Sequence, residues 1–231
     1  MTAAGVNVRL LVAEFVAMLL VTAAILFVAA GTIAWPAGWA FLVLTFGLSA
    51  GTYWWLVRHD PGLVRERMTG LDRSAQGLWD GLFVAVACVL MIGWLVVIPL
   101  DAVRFQWSHV PAPVQVAGAV LLVGSGWLQF LVFRENSYLS PALRIQSERG
   151  QTLVDTGPYR YVRHPMYTSV VGLMLGASLM LGSWFGLLGG LALAVAVAVR
   201  ARGEERMLTR ELPGYDTYVT RVRYRLVPFL W

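Results

Sequence analysis

A chain of 231 residues that is 58% hydrophobic and only 13% charged cannot cover a water-facing surface, since soluble domains carry about a quarter charged residues. Lipid is therefore part of its solvent. The net charge of +5 and the isoelectric point of about 9.8 would suggest nucleic acid on a soluble chain. Here all eighteen cationic residues are Arg and they lie between apolar runs, so they read as topology signals and no nucleic-acid partner is expected.

Roughly 20 mostly apolar residues cross a bilayer as a helix. The apolar runs predict spans over 9–30, 37–57, 79–100, 114–133, 166–182 and 184–200. The expected fold is all-α: a polytopic membrane protein of about six transmembrane helices, read as one integral membrane domain. The first run follows Arg9 without a convincing A-x-A cleavage site and reads as a retained helix. Cys88, the single cysteine, sits in an apolar run; it reads as packing and leaves no Cys cluster for a metal. Trp35, Trp39, Trp107 and Trp184 on the outer side, and Trp54, Trp55 and Trp79 on the inner side, read as interfacial anchors. The last two spans meet at Gly182-Ser183, a turn short enough only for a helical hairpin, and Gly172, Gly176, Gly186, Gly189 and Gly190 allow close packing there.

Arg placement sets orientation. Arg58, Arg65, Arg67 and Arg73 occupy one connection, Arg134, Arg144, Arg149, Arg160 and Arg163 another, and seven more lie beyond residue 199. Together with Arg9 they fall on one side, against Arg104 alone on the other. The positive-inside rule then puts both termini in the cytoplasm, in a bacterial inner membrane on this reading. Two cytoplasmic stretches, 134–165 and 200–231, exceed a minimal connection and converge on the inner end of the hairpin, as functional loops do. This divides the chain into a four-helix membrane part, 1–133, and a C-terminal part, 134–231, whose tail forms a cytoplasmic cap.

The segment Q-S-E-R-G-Q-T-L-V-D-T-G-P-Y-R-Y-V-R-H-P-M-Y, Gln146 to Tyr167, leads into the fifth span. Gly157-Pro158 demands a turn, and Pro165 suits a first helical turn, where a missing N–H costs nothing. The free N–H groups there would face whatever His164 and Tyr159 face. His164 serves equally as a helix cap or a ligand contact. The segment R-A-R-G-E-E-R-M-L puts Arg200 and Glu204 four apart on one helical face, a spacing that also suits a simple structural ion pair.

G-P-Y-R-Y-V-R-H-P-M-Y, a helical hairpin, E-E-R-M-L and G-Y-D-T-Y together resemble the isoprenylcysteine carboxyl methyltransferase family and the related phospholipid methyltransferases, from about residue 144 to the end. The resemblance implies an S-adenosylmethionine-dependent methyltransferase, with S-adenosylhomocysteine as product and no metal. Its C-terminal part, 134–231, would be the cofactor-binding core. Gln146, Gln151, Thr152, Leu153, Val154, Tyr159, His164, Pro165, Met166 and Tyr167 match the family's cofactor contacts. Glu204 matches its cofactor-contacting glutamate, Glu205 completes the acidic pair, and Arg200 matches the arginine beside a reacting carboxylate. The loop between Gln146 and Thr152 is shorter than in eukaryotic members.

The residues' own chemistry agrees. A carboxylate such as Glu204 or Glu205 can pair with the cofactor's ammonium, and amides at a helix start suit an anionic group. Methyl transfer is an in-line displacement that depends on alignment. Arg200 would hold an anionic nucleophile, or Glu204 would act as base toward a thiol or amine. Carboxylates are the favoured acceptors among small-molecule and lipid substrates, with membrane lipids as partners. No strand followed by a Gly-rich turn is present, which excludes a Rossmann-type enzyme. Two other readings are an NADPH-dependent reductase of sterol-like or enoyl lipids, and a non-enzymatic transporter or assembly factor. Transport is disfavoured because Glu14, Asp80 and Asp101 sit near span ends, not at the midplane.

Overall fold

The computed structural model describes residues 6–69, 78–140 and 144–231. Its elements are helical among the described residues: α1 (Val8–Ala30), α2 (Pro36–His59), α3 (Pro61–Thr69), α4 (Leu78–Pro99), α5 (Ala112–Glu135), α6 (Pro165–Met180), α7 (Trp184–Glu211) and α8 (Tyr215–Arg221). Among the described residues, five helices are long and apolar enough to cross a membrane: α1, α2, the stretch Ala85–Arg104, α5 and α7. The expected fifth span is the shorter α6, whose 16 residues reach about 24 Å. It is the short arm of the expected hairpin, closed at Gly182, which carries φ +87°. Arg73 and the side chains of Trp79 and Asp80 lie outside the described residues.

Two elements differ from the reading above. The connection after α2 holds a helix of its own, α3, started by Pro61 with the Asp60 side chain accepting from the Leu63 amide. The last span does not stop at residue 200: α7 runs unbroken to Glu211, 28 residues in all. Arg200 to Leu208 are thus helical and project past the apolar stretch as a rigid stalk.

Lipid-facing composition explains the exposed apolar side chains. Val12, Met18, Val43, Val120 and Leu188 all point outward, as expected where hydrocarbon replaces water. Trp39, Trp107 and Trp184 are exposed at the Arg-poor end. Trp35, expected as an anchor beside them, is instead buried against Phe27 in the core. At the Arg-rich end Trp54 is exposed under the Arg58 guanidinium, whereas Trp55 stacks on His59 and meets Phe130 edge-on.

With no water to expel between helices in lipid, close approach of small residues holds the bundle together. α5 and α6 touch backbone to backbone. A Cβ on Gly176 would lie 2.6 Å from the Leu122 nitrogen, and one on Gly118 would lie 2.5 Å from the Met180 nitrogen. Gly172 is pressed against Ser125, Gly186 against Ile98 and Gly189 against Trp94. Gly190 has ordinary clearance.

The Arg-poor end is tied by Asp101. Pro99 has no N–H to continue α4, and the chain passes into a π-helical turn, Leu100–Arg104, that swings Asp101 inward. Its Oδ2 accepts from Ser183 Oγ (2.5 Å), Ser108 Oγ (2.7 Å) and the Phe185 amide (3.3 Å). Ser183 Oγ in turn accepts from the Gly186 amide. A carboxylate and a serine therefore cap the N-terminus of α7, where the helix dipole favours negative charge.

Gly176→Val must separate α5 from α6 and should cost about 1–3 kcal/mol. Gly93→Ala, whose added carbon meets nothing within 4 Å, should be neutral or slightly stabilising; melting temperatures in detergent test both.

Candidate active site

A cavity of about 280 Å³ opens at the Arg-rich end. Its walls come from α3, the C-terminal end of α5, the loop 144–156, the start of α6, the stalk of α7 and the tail. Each wall has a local cause. Asn136 ends α5 and donates to the Tyr159 hydroxyl at 2.8 Å. Gly157 takes φ +55° to begin the turn Gly157–Arg160, and a Cβ there would strike the Glu135 carboxylate. Thr156 donates to that same carboxylate. Pro165 occupies the first turn of α6 with His164 as its cap residue.

On the stalk, Arg200, Glu204, Met207 and Leu208 line the cavity, a spacing that puts them on one helical face. The Tyr167 hydroxyl donates to Glu204 Oε2 at 2.7 Å, and Arg200 lines the cavity with both. His164 Nδ1 stands 4.0 Å from the same Glu204 oxygen. His164 and Glu204 thus face one another across a single cavity.

Of the residues singled out in the sequence, Gln151, Thr152, Leu153, Val154, Tyr159, His164, Met166, Tyr167, Arg200 and Glu204 line it. Gln146, Pro165 and Glu205 are not among the lining residues. Gln146 is fully buried behind the wall, where its amide donates to the Tyr138 carbonyl, accepts from Arg149, and its backbone N–H bonds Gln151 Oε1. It frames the loop. Pro165 shapes the start of α6.

Glu205 turns the other way because successive helical residues point about 100° apart. Its Oε1 accepts from Arg163 Nε at 2.6 Å and its Oε2 from Arg225 Nε at 2.7 Å. His164 Nε2 lies 3.4 Å from Oε1 without an aligned hydrogen bond. Arg163 also donates to the Val222 and Arg223 carbonyls. The amides of Arg163 and His164 donate to the Tyr224 and Arg225 carbonyls, and Thr168 Oγ1 donates to that of Leu226. Residues 222–226 therefore form a strap fastened to the start of α6.

The tail closes the cavity with Leu212, Tyr215 and Tyr218. Tyr218 donates to the Tyr159 carbonyl at 2.7 Å. The Tyr215 hydroxyl is buried without a partner among the described residues. Burial pushes the hydroxyls of Tyr159, Tyr215 and Tyr218 up, so they stay protonated donors at neutral pH. The G-Y-D-T-Y motif carried both tail tyrosines, and their spacing of three on α8 was the available signal. Arg67 gave no such signal: it lies in α3, over the Phe133 ring, with Nε buried and unbonded. α3 is held to the loop by Glu66, which accepts both 2.9 and 3.0 Å bonds from Arg144.

A cavity of mixed polar and apolar walls that holds, among the described residues, one carboxylate, one imidazole and several guanidinium groups, at the end of a membrane-helix hairpin, fits a membrane enzyme acting on a small polar ligand beside lipid. Residues 114–213 match the family model described as phospholipid methyltransferase. The stretch from α5 through α7 is therefore similar to that family, over less than half of the chain. Over 154 residues the chain is 38% identical to the nickel-cobalt-cadmium resistance protein NccN of Alcaligenes xylosoxydans xylosoxydans. That match covers 65% of this chain and 63% of NccN, so it spans less than two thirds of the relative's length.

Glu205→Ala would strand the buried Arg163 and release the strap. A loss of about 3–5 kcal/mol is expected, with faster proteolysis of the tail than of the membrane helices. Protease sensitivity of the tail equal to wild type would contradict this.

Proposed function

We propose that this chain moves a methyl group from S-adenosylmethionine to a lipophilic or small nucleophile, with a carboxylate favoured and a thiol or amine as other acceptors. The observation that carries this reading is the convergence of His164, Tyr167, Arg200 and Glu204 on one cavity whose other walls mix polar side chains with apolar ones such as Leu153, Val154, Leu208 and Leu212. The cavity volume of about 280 Å³ falls just below the roughly 300–1,000 Å³ of ligand pockets.

The residues fit such a ligand. Leu153, Leu208, Leu212 and Tyr218 offer apolar and aromatic surface for a purine and ribose. Glu204, with one oxygen engaged by Tyr167, keeps acceptor capacity for an ammonium or a ribose hydroxyl. The unbonded Tyr215 hydroxyl and Arg67 Nε are donors awaiting an acceptor, since a buried polar group without one costs stability. S-adenosylmethionine supplies an activated methyl on a sulfonium: its S–CH3 bond breaks as the nucleophile–CH3 bond forms.

The chain's own work is alignment and charge. Arg200, on the cavity wall with Tyr167 and Glu204, would fix an anionic nucleophile in line and keep it desolvated. With a thiol or amine, Glu204 would take the proton instead. The strap and α8 exclude water from the polar side. The stalk of α7 leaves the bilayer beside the cavity, so a lipophilic acceptor would arrive between helices. The Arg-rich end, cavity included, is assigned to the cytoplasm, where the cofactor is made available.

Labelled methyl transfer into total membrane lipids should be detectable with the wild-type protein, and base-labile label would mark an ester. Glu204→Gln and His164→Ala should weaken binding of S-adenosylhomocysteine by about tenfold or more. Arg200→Ala should lower turnover with that binding largely kept. Deleting 209–231 should abolish binding while membrane insertion persists. A truncated protein with wild-type affinity, or no label transferred to any lipid or small acid, would sink the reading.

A further inference from the structure

We propose that the face of α7 turned away from the cavity, together with the C-terminal strap, binds the headgroup of an anionic phospholipid. Arg202, Arg206 and Arg210 recur every four residues and form a stripe along one side of the stalk. With Glu205, Thr209 and Arg225 they line an open groove of about 430 Å³. Glu205, the carboxylate in that lining, already has both oxygens bonded to Arg163 and Arg225. Arg202, Arg206 and Arg210 make no ion pair among the described residues. The groove is therefore strongly cationic and its charge is uncompensated by the protein.

Its position selects a lipid over a soluble anion. Arg202 stands two residues beyond Arg200, where α7 leaves its apolar stretch, which is about 3 Å along the axis. Trp231 sits against both Arg202 and Arg225, at 5.3 and 5.2 Å. Beside it Phe229 and Leu230 are 89% and 80% exposed, which water alone would penalise. Cations next to exposed apolar side chains at a helix exit match a headgroup above and acyl chains below. The carbonyls of the same strap, 222–226, accept hydrogen bonds from Arg163, His164 and Thr168. A bound lipid would thus fasten the strap to α7 and hold the cavity closed. The lipid site stands without the methyl-transfer reading, and only its consequence for activity rests on that reading.

The test uses full-length protein in nanodiscs of phosphatidylcholine alone or with phosphatidylglycerol. Native mass spectrometry counts retained phosphatidylglycerol, and hydrogen exchange follows the peptide carrying the Arg163 and His164 amides. Wild type should keep the anionic lipid and exchange that peptide more slowly in its presence. The triple variant Arg202→Gln, Arg206→Gln, Arg210→Gln should bind it on the order of a hundredfold more weakly, at roughly fivefold per arginine, and lose the protection. The corresponding Lys variant should keep most of both, because charge is retained. Inorganic phosphate added to phosphatidylcholine discs should not reproduce the protection. A Gln variant with wild-type lipid retention, a Lys variant as weak as the Gln variant, or full protection by inorganic phosphate would overturn the proposal.

Discussion

Glu205 holds the C-terminal half together. Its two oxygens take one guanidinium from the residue before His164 and another from the strap, so three segments far apart in sequence meet on one buried carboxylate. A buried charge survives only when paired and hydrogen-bonded, and here each partner is. Arg163 adds two backbone carbonyls of the strap to its bonds. The direction in which His164 and Tyr167 point, and hence the shape of the cavity wall, follows from this cluster.

α7 is the axis around which the two ends of the protein are organised. At one end Asp101 and Ser183 satisfy its first amides. At the other, adjacent glutamates part company: Glu204 faces the cavity and Glu205 faces the strap. One helix thus separates a carboxylate available to a ligand from a carboxylate committed to architecture. The glycine contacts between α5 and α6 bring the short α6 close enough that its first turn lies beside the stalk.

The family-matched segment supplies most of the cavity, yet the wall is completed from outside it. Arg67 comes from α3 and Tyr215 and Tyr218 from α8, beyond the matched residues 114–213. The outer stripe of α7 extends the same economy of form, with one face lining the cavity and the other lining a groove of arginines.

The amino-acid sequence alone determined the solvent, the helical class and the local turns. Apolar run length, arginines in the connections, Gly157-Pro158 and His164-Pro165 each act through nearest neighbours or through composition, so they are readable in order along the chain. The motif residues were legible too, as a group. Tertiary structure decided which of the group face the cavity. Gln146 and Glu205 carry the same motif signal as their neighbours but turn into the frame, because a side chain's direction depends on helix phase and on partners dozens of residues away. Arg67 and the strap entered the site through long-range packing and ion pairs, which no local pattern encodes. Even the buried Trp35, an anchor by position, was settled by Phe27 lying across from it.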